Sequence, residues 1–86
     1  MPYTVEFTTS ALRELRALER AIQRRIATRI DELAKDPFPP SVKKLQGTPD
    51  HYRIRVGNYR VIYRVDGKRV TILILKIGHR RDVYRQ

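Results

Sequence analysis

The sequence predicts an α+β domain: an N-terminal strand and a helical hairpin packed on one face of an antiparallel β-sheet of about four strands. Three observations predict it. Through the first half, apolar residues recur every three or four positions, the period of a helical stripe. Through the second half they alternate with basic residues, the period of a pleated strand. Between the halves stands Asp36-Pro37-Phe38-Pro39-Pro40, which ends any helix because proline lacks an amide donor and restricts the residue before it.

Tyr3 to Phe7 reads as a short strand, with Tyr3, Val5 and Phe7 on one side. Thr8, Thr9 and Ser10 then offer hydroxyl N-caps for a helix. Leu12, Leu15, Leu18, Ile22, Ile26, Ile30 and Leu33 form the apolar stripe, with most arginines off it. No Gly or Pro interrupts Ala11 to Lys35. A single straight helix there would be about 37 Å long at about 1.5 Å per residue, whereas a domain of this size is roughly 30 Å across. A bend near Leu18 to Ala21 follows.

Two strands, Tyr52 to Val56 and Tyr59 to Val65, flank Gly57-Asn58. Asp66-Gly67 then separates Val65 from Lys68. Both dipeptides suit two-residue hairpin turns. The last strand, Arg69 to Ile77, is almost continuously apolar, the pattern of a strand covered on both faces at the sheet centre. No repeat, linker or low-complexity segment breaks the 86 residues, so residues 1–86 read as one domain.

Composition narrows the function. The net charge is +10, there is no cysteine, and no apolar run nears the length of a membrane span. The N-terminus lacks the charged and apolar segments of a secretory signal, so the expected compartment is the cytoplasm. Two histidines, no cysteine and no paired carboxylates predict no metal site. Without a Gly-rich phosphate loop or a nucleophile elbow, no cofactor or small-molecule ligand is expected.

The excess charge is concentrated: from Lys43 to Gln86, twelve Lys and Arg face three acids, against seven and six from Met1 to Val42. If Gly57-Asn58 is the whole loop, Arg53, Arg55, Arg60, Ile62 and Arg64 share one face of the sheet. Tyr52, Ile54, Val56, Tyr59, Val61 and Tyr63 share the other, where helices pack. A one-residue slip would bury arginines, so the register is well determined. Arg55 opposite Arg60 is a like-charge cross-strand pair, destabilising by itself and better explained by an anionic ligand. Nucleic acid is the first partner to consider; a merely solvated outer face is the alternative.

Four segments, taken in order, carry a family likeness. They are the opening Tyr-Thr-Val-Glu-Phe, Lys-Lys-Leu-Gln-Gly at Lys43 to Gly47, the run from Tyr52 to Val65, and the closing Gly-His-Arg-Arg-Asp-Val-Tyr-Arg from Gly78. Over nearly its whole length the chain resembles the RelE-type toxins of the RelE/ParE toxin–antitoxin superfamily. The resemblance implies a RelE-like sheet with an N-terminal helical hairpin. It also implies metal-free cleavage of mRNA in the ribosomal A site, silenced by a cognate antitoxin. The family's basic sheet positions fall on Arg53, Arg55 and Arg60, its post-strand arginine on Arg80 and its C-terminal tyrosine on Tyr84. Around these catalytic candidates, Arg64, His79, Arg81, Lys43 and Lys44 are expected to bind substrate.

The implied reaction is attack of a ribose 2′-hydroxyl on the adjacent phosphate, leaving a 2′,3′-cyclic phosphate and a 5′-hydroxyl. Arginine suits stabilisation of the added charge but is a poor base. The best-known relatives carry lysine where this chain has Arg53 and Arg55. The base here therefore falls to Tyr84, His79, or an rRNA or water group; His51 reads as a turn residue. Expected partners are an acidic, RelB-like antitoxin and the 70S ribosome with its mRNA and rRNA, with no membrane. The rivals are a ParE-like inhibitor of DNA gyrase and a non-catalytic basic nucleic-acid-binding module.

Overall fold

A computed structural model of the chain describes residues 2–79. The elements run β1 (Thr4–Phe7), α1 (Thr9–Arg16), α2 (Arg20–Lys35), β2 (Lys43–Lys44), β3 (His51–Val56), β4 (Tyr59–Asp66) and β5 (Thr71–His79). The helices cover one face of a single sheet ordered β1-β5-β4-β3-β2. The helical hairpin, its position on the sheet and the α+β class are as expected.

Two features of the sheet differ from expectation. It has five strands, because Lys43 and Lys44 pair with Arg53 and Tyr52 as a two-residue edge. It is also mixed rather than antiparallel, since β1 runs parallel to β5, from Thr4 opposite Thr71 to Phe7 opposite Ile74. Alternation in a sequence sets which side chains share a face, not the direction in which a neighbour runs.

The helical run breaks close to where length required it. Ala17 caps α1, and α2 begins at Arg20 without a side-chain cap on Glu19. The Gln23 amide spans the break, donating from Nε2 to the Leu18 carbonyl at 2.7 Å and to the Arg16 carbonyl at 3.3 Å. It thereby occupies carbonyls that a helix C-terminus otherwise leaves without partners. At the other end of α1 the cap is Thr8, whose Oγ1 accepts from the Ala11 amide at 3.0 Å.

The core lies between α2 and the sheet. Ile26, Ile30 and Leu33 meet Ile54, Val56, Val61, Tyr63, Ile72, Ile74 and Ile77, all buried. A bulge makes the apolar run of β5 fit. Ile62 pairs with Lys76 but Tyr63 with Ile74, leaving Leu75 as an extra residue on β5. The extra residue resets the alternation, so Ile72, Ile74 and Ile77 all face the helices. β5 is interior, between β1 and β4, and Leu73 and Leu75 on its other side are half-buried.

Beyond Phe7, β1 no longer covers β5, and α1 takes over that edge. The Thr8 amide donates to the Ile74 carbonyl at 3.0 Å, and its hydroxyl to the Leu75 carbonyl at 3.3 Å. The Glu14 carboxylate accepts from the Ile77 amide and from Lys76 Nζ, both at 3.0 Å. A strand edge that would otherwise offer free pairing groups is closed by side chains.

The turns separate into one as expected and one not. Gly57-Asn58 is a two-residue connection with Val56 opposite Tyr59. Gly57 has φ +60° and Asn58 is not among the positive-φ residues, the type II′ pattern that demands glycine first. The second hairpin is longer than the expected Asp66-Gly67. Asp66 pairs with Thr71, and residues 67–70 form the loop. Asp66 Oδ1 accepts from the Lys68 and Arg69 amides, each at 3.1 Å, competing with the tighter turn. The four-residue path leaves Val70 at φ 53°, a left-handed conformation that strains a β-branched residue.

Tyr63 ties the proline segment to the sheet. Its hydroxyl donates to the Pro37 carbonyl at 2.6 Å. Tyr52 stacks on Tyr63 at 5.9 Å between ring centroids, and Phe38 meets Tyr52 edge-on at 5.1 Å. Burial first, then Tyr52 and Asp36, push the Tyr63 pKa well above the ordinary tyrosine value.

Two outcomes are expected. A tyrosine pKa raised by folding contributes stability that is complete below the unfolded value of about 10 and falls as pH rises above it. Urea melts should therefore show stability declining above about pH 10, and Tyr63→Phe should lose about 1–2 kcal/mol at neutral pH but flatten that decline. Val70→Gly should relieve left-handed strain of about 1 kcal/mol, net of its extra unfolded-state freedom, and raise Tm by a few degrees in a thermal melt.

Candidate nucleic-acid interface

The face of the sheet away from the helices carries the basic residues in rows. Nearest the Gly57-Asn58 turn, Arg55 stands opposite Arg60, which in turn pairs with Gly78. The next row is Lys43, Arg53, Ile62 and Lys76. The third is His51, Arg64 and Leu73. Neighbours within a row are about 5 Å apart and rows about 7 Å apart. The register read from the sequence is the register observed, and it gathers Arg53, Arg55, Arg60, Arg64 and Lys43 on one surface.

Two of these arginines lie deeper than alternation alone implies. Arg55 and Arg64 are exposed, but Arg53 is 7% and Arg60 2% exposed. Arg60 sits on β4, the middle strand, between Arg55 of β3 and Gly78 of β5. Burial, and then the Arg55 charge, lower the Arg53 pKa from its ordinary value. An anion placed beside Arg53 would oppose both effects, because it favours the charged form of the guanidinium. Guanidiniums held this way are oriented before any ligand arrives, the condition under which fixed donors stabilise developing charge best.

Two expected site residues have other placements. Lys44 is exposed but pairs with Tyr52, on the helix side of the edge. His79 pairs with Tyr59, and their rings meet edge-on at 5.6 Å and 80°. Its ring is thus on the side of Tyr59, not of Arg60. Lys76, not among the expected residues, shares the row of Arg53 but is drawn to Glu14 at 3.0 Å. Arg80, Arg81 and Tyr84 lie outside the described residues.

Reading from the sequence alone also missed His51. It opens β3 instead of lying in the turn before it, and it pairs with Arg64 on the arginine face. Its Nδ1 lies 2.7 Å from the Pro49 carbonyl. A carbonyl only accepts, so Nδ1 carries the proton and Nε2 is left to meet a ligand. The signal in the sequence was its parity with Arg53 and Arg55. His51 is four residues from Arg55, about 13 Å along the strand, so it serves the far end of the face.

Among the described residues, no three His, Cys, Asp or Glu side chains converge as metal ligands. None of the described helices is long and apolar enough to cross a membrane. What the face offers is a row-by-row set of guanidinium donors suited to phosphodiester oxygens.

Known proteins place this chain in a family. Residues 5–84 match the family model described as ParE toxin of type II toxin-antitoxin system, parDE. Toxin RelG of Mycobacterium tuberculosis is 38% identical, over 100% of both chains. The mRNA interferase toxin RelE of Escherichia coli K12 is 29% identical, over 100% of this chain and 94% of the relative. Among solved structures, the archaeal RelE–RelB complex from Pyrococcus horikoshii superposes with a TM-score of 0.82 at 40% identity, covering 93% of this chain and 97% of that one. The intact E. coli RelBE complex superposes with a TM-score of 0.80 at 29% identity, covering 90% and 95%. With its fold and its full-length likeness in agreement, this chain belongs to the RelE/ParE superfamily of type II toxin–antitoxin toxins, as a RelE-type member.

Proposed function

We propose that this toxin is an endoribonuclease that cuts mRNA in the ribosomal A site without a protein-bound metal, and that a RelB-like, acidic antitoxin silences it. The observation that carries the reading is the gathering of Arg53, Arg55 and Arg60 on one face, with Arg60 almost wholly buried there. Relatives named mRNA interferase and structural neighbours that are RelE–RelB complexes support it.

In this mechanism the scissile phosphate rests on the Arg55–Arg60 row. The 2′-hydroxyl attacks phosphorus, the P–O5′ bond breaks, and the chain ends as a 2′,3′-cyclic phosphate beside a 5′-hydroxyl. Arg60, with Arg55, Arg53 and Arg80, stabilises the additional charge of the five-coordinate transition state through forked donors. None of these guanidiniums takes the 2′-hydroxyl proton, because arginine stays charged at working pH. Tyr84 or an rRNA or water group does so, and the departing O5′ takes its proton from the same group or from water. His79 is a weaker candidate than the sequence suggested, since its ring lies on the Tyr59 side of the sheet. Lys43, Arg64 and His51 hold the flanking RNA.

A second reading has one observation in its favour: the matching family model is that of ParE toxins. A shared fold does not decide between targets, and on that reading the same face would engage DNA gyrase.

Primer extension on translated mRNA with purified ribosomes is expected to show A-site cuts. Ribosome binding without cuts, together with inhibition of gyrase supercoiling, would replace the nuclease reading by the second. Arg60→Ala and Arg80→Ala should each slow single-turnover cleavage at least about tenfold, equivalent to about 1.4 kcal/mol of barrier. Thermal melts of Arg60→Ala separate lost chemistry from lost packing, because the side chain is buried.

A further inference from the structure

We propose that the RNA path continues from the arginine face over the Gly57-Asn58 turn into a cavity on the helix side, where Arg25 and Arg29 hold a further backbone phosphate. The proposal rests on the nuclease reading and deepens it by naming a second substrate subsite. The cavity has a volume of about 280 Å³ and is lined by Arg25, Thr28, Arg29, Val56 and Gly57.

The turn and the helix are matched here. A Cβ on Gly57 would stand 3.2 Å from Arg25 Nη2, 3.5 Å from Nη1 and 3.7 Å from Cζ. The guanidinium therefore packs against the bare backbone of the turn. Glycine at this position satisfies the positive φ and admits the arginine as well. Arg25 and Arg29 are one helical turn apart, a spacing at which like charges repel. Arg29 is paired through Nε with Glu32 at 3.2 Å. Among the described residues no carboxylate lies within ion-pair reach of Arg25.

A polynucleotide is the occupant that continuity favours. Arg55 and Arg60 form the row nearest the same turn on the other face, about 7 Å along the strand from Gly57. Four arginines thus surround one two-residue hairpin tip. A single strand engaging the Arg55–Arg60 row and leaving over the tip meets Arg25, Arg29 and the Thr28 hydroxyl next. These donors recognise phosphate oxygens without reading bases.

The test uses the full-length toxin and fluorescent 2′-O-methyl RNA, which lacks the attacking hydroxyl. Affinities for a 3-mer and a 10-mer are measured by anisotropy across a salt series. Because it removes both cations that hold the one further phosphate, Arg25→Ala/Arg29→Ala should lower the slope of log affinity against log salt by about 0.7 for the 10-mer, the value for one neutralised phosphate charge. The 3-mer, too short to reach over the tip from the Arg55–Arg60 row, should be unaffected. Arg20→Ala/Arg24→Ala, on exposed positions of α2, should leave the 10-mer slope unchanged. Equal effects on both oligonucleotides, or none on either, would overturn the subsite. So would unchanged RNA binding with lost poly-glutamate binding, which would assign the cavity to an acidic protein. The readout is binding alone, so failure to cut mRNA would sink the nuclease reading while leaving this result interpretable.

Discussion

The pairing of β3 with β4 in a single register is the constraint on which the rest of this molecule depends. Val56 opposite Tyr59 and Arg55 opposite Arg60 commit every later residue of both strands to a face. On one side Ile54, Val56, Val61 and Tyr63 meet Ile26, Ile30 and Leu33 of α2. Each such side chain, once buried, contributes on the order of 1.5–3 kcal/mol. Moving either strand by one position would exchange these groups for arginines and place charge in an apolar core. The type II′ turn at Gly57 sets the same register locally. Turn chemistry and core burial thus select one arrangement, and the gathering of guanidiniums follows from it.

That arrangement gives the site its chemical character. It is rich in donors that neither lose their charge nor accept a proton, so it suits charge stabilisation and not base catalysis. The depth of Arg60 and Arg53 adds orientation to charge. Among the described residues, His51 contributes an imidazole ring to the same face, but at its far end. His79, which its place after the strand suggested as an acid or base, packs instead against Tyr59. On the nuclease reading proposed above, this half of the protein clamps and neutralises phosphate while proton transfer lies with groups beyond β5 or with the RNA.

The helices do more than cover the core. Through Thr8 and Glu14, α1 completes the edge of β5 where β1 stops. The Glu14 carboxylate also holds Lys76, the one cation of the Arg53 row that is turned toward α1. Gln23 satisfies the carbonyls exposed by the break between the helices. At the opposite end of the sheet, Tyr63, Tyr52 and Phe38 secure the proline segment. In a domain without cysteines, these side chain–backbone bonds do the closing that disulfides perform elsewhere.

By itself the sequence determined the α+β class, the break in the helical run, the β3–β4 register and the membership of the arginine face. Each follows from a local property: the two periodicities, the length of a helix against the width of a small domain, and a glycine turn. The direction of β1, the two-residue strand at Lys43–Lys44, the bulge at Leu75 and the four-residue β4–β5 loop were decided only by the tertiary structure. So were the burial of Arg53 and Arg60 and the side of the sheet on which His79 falls. Parity along a strand tells which side chains travel together. Strand direction, a displaced residue and the depth of a side chain depend on contacts between segments far apart in the chain, which no local period records.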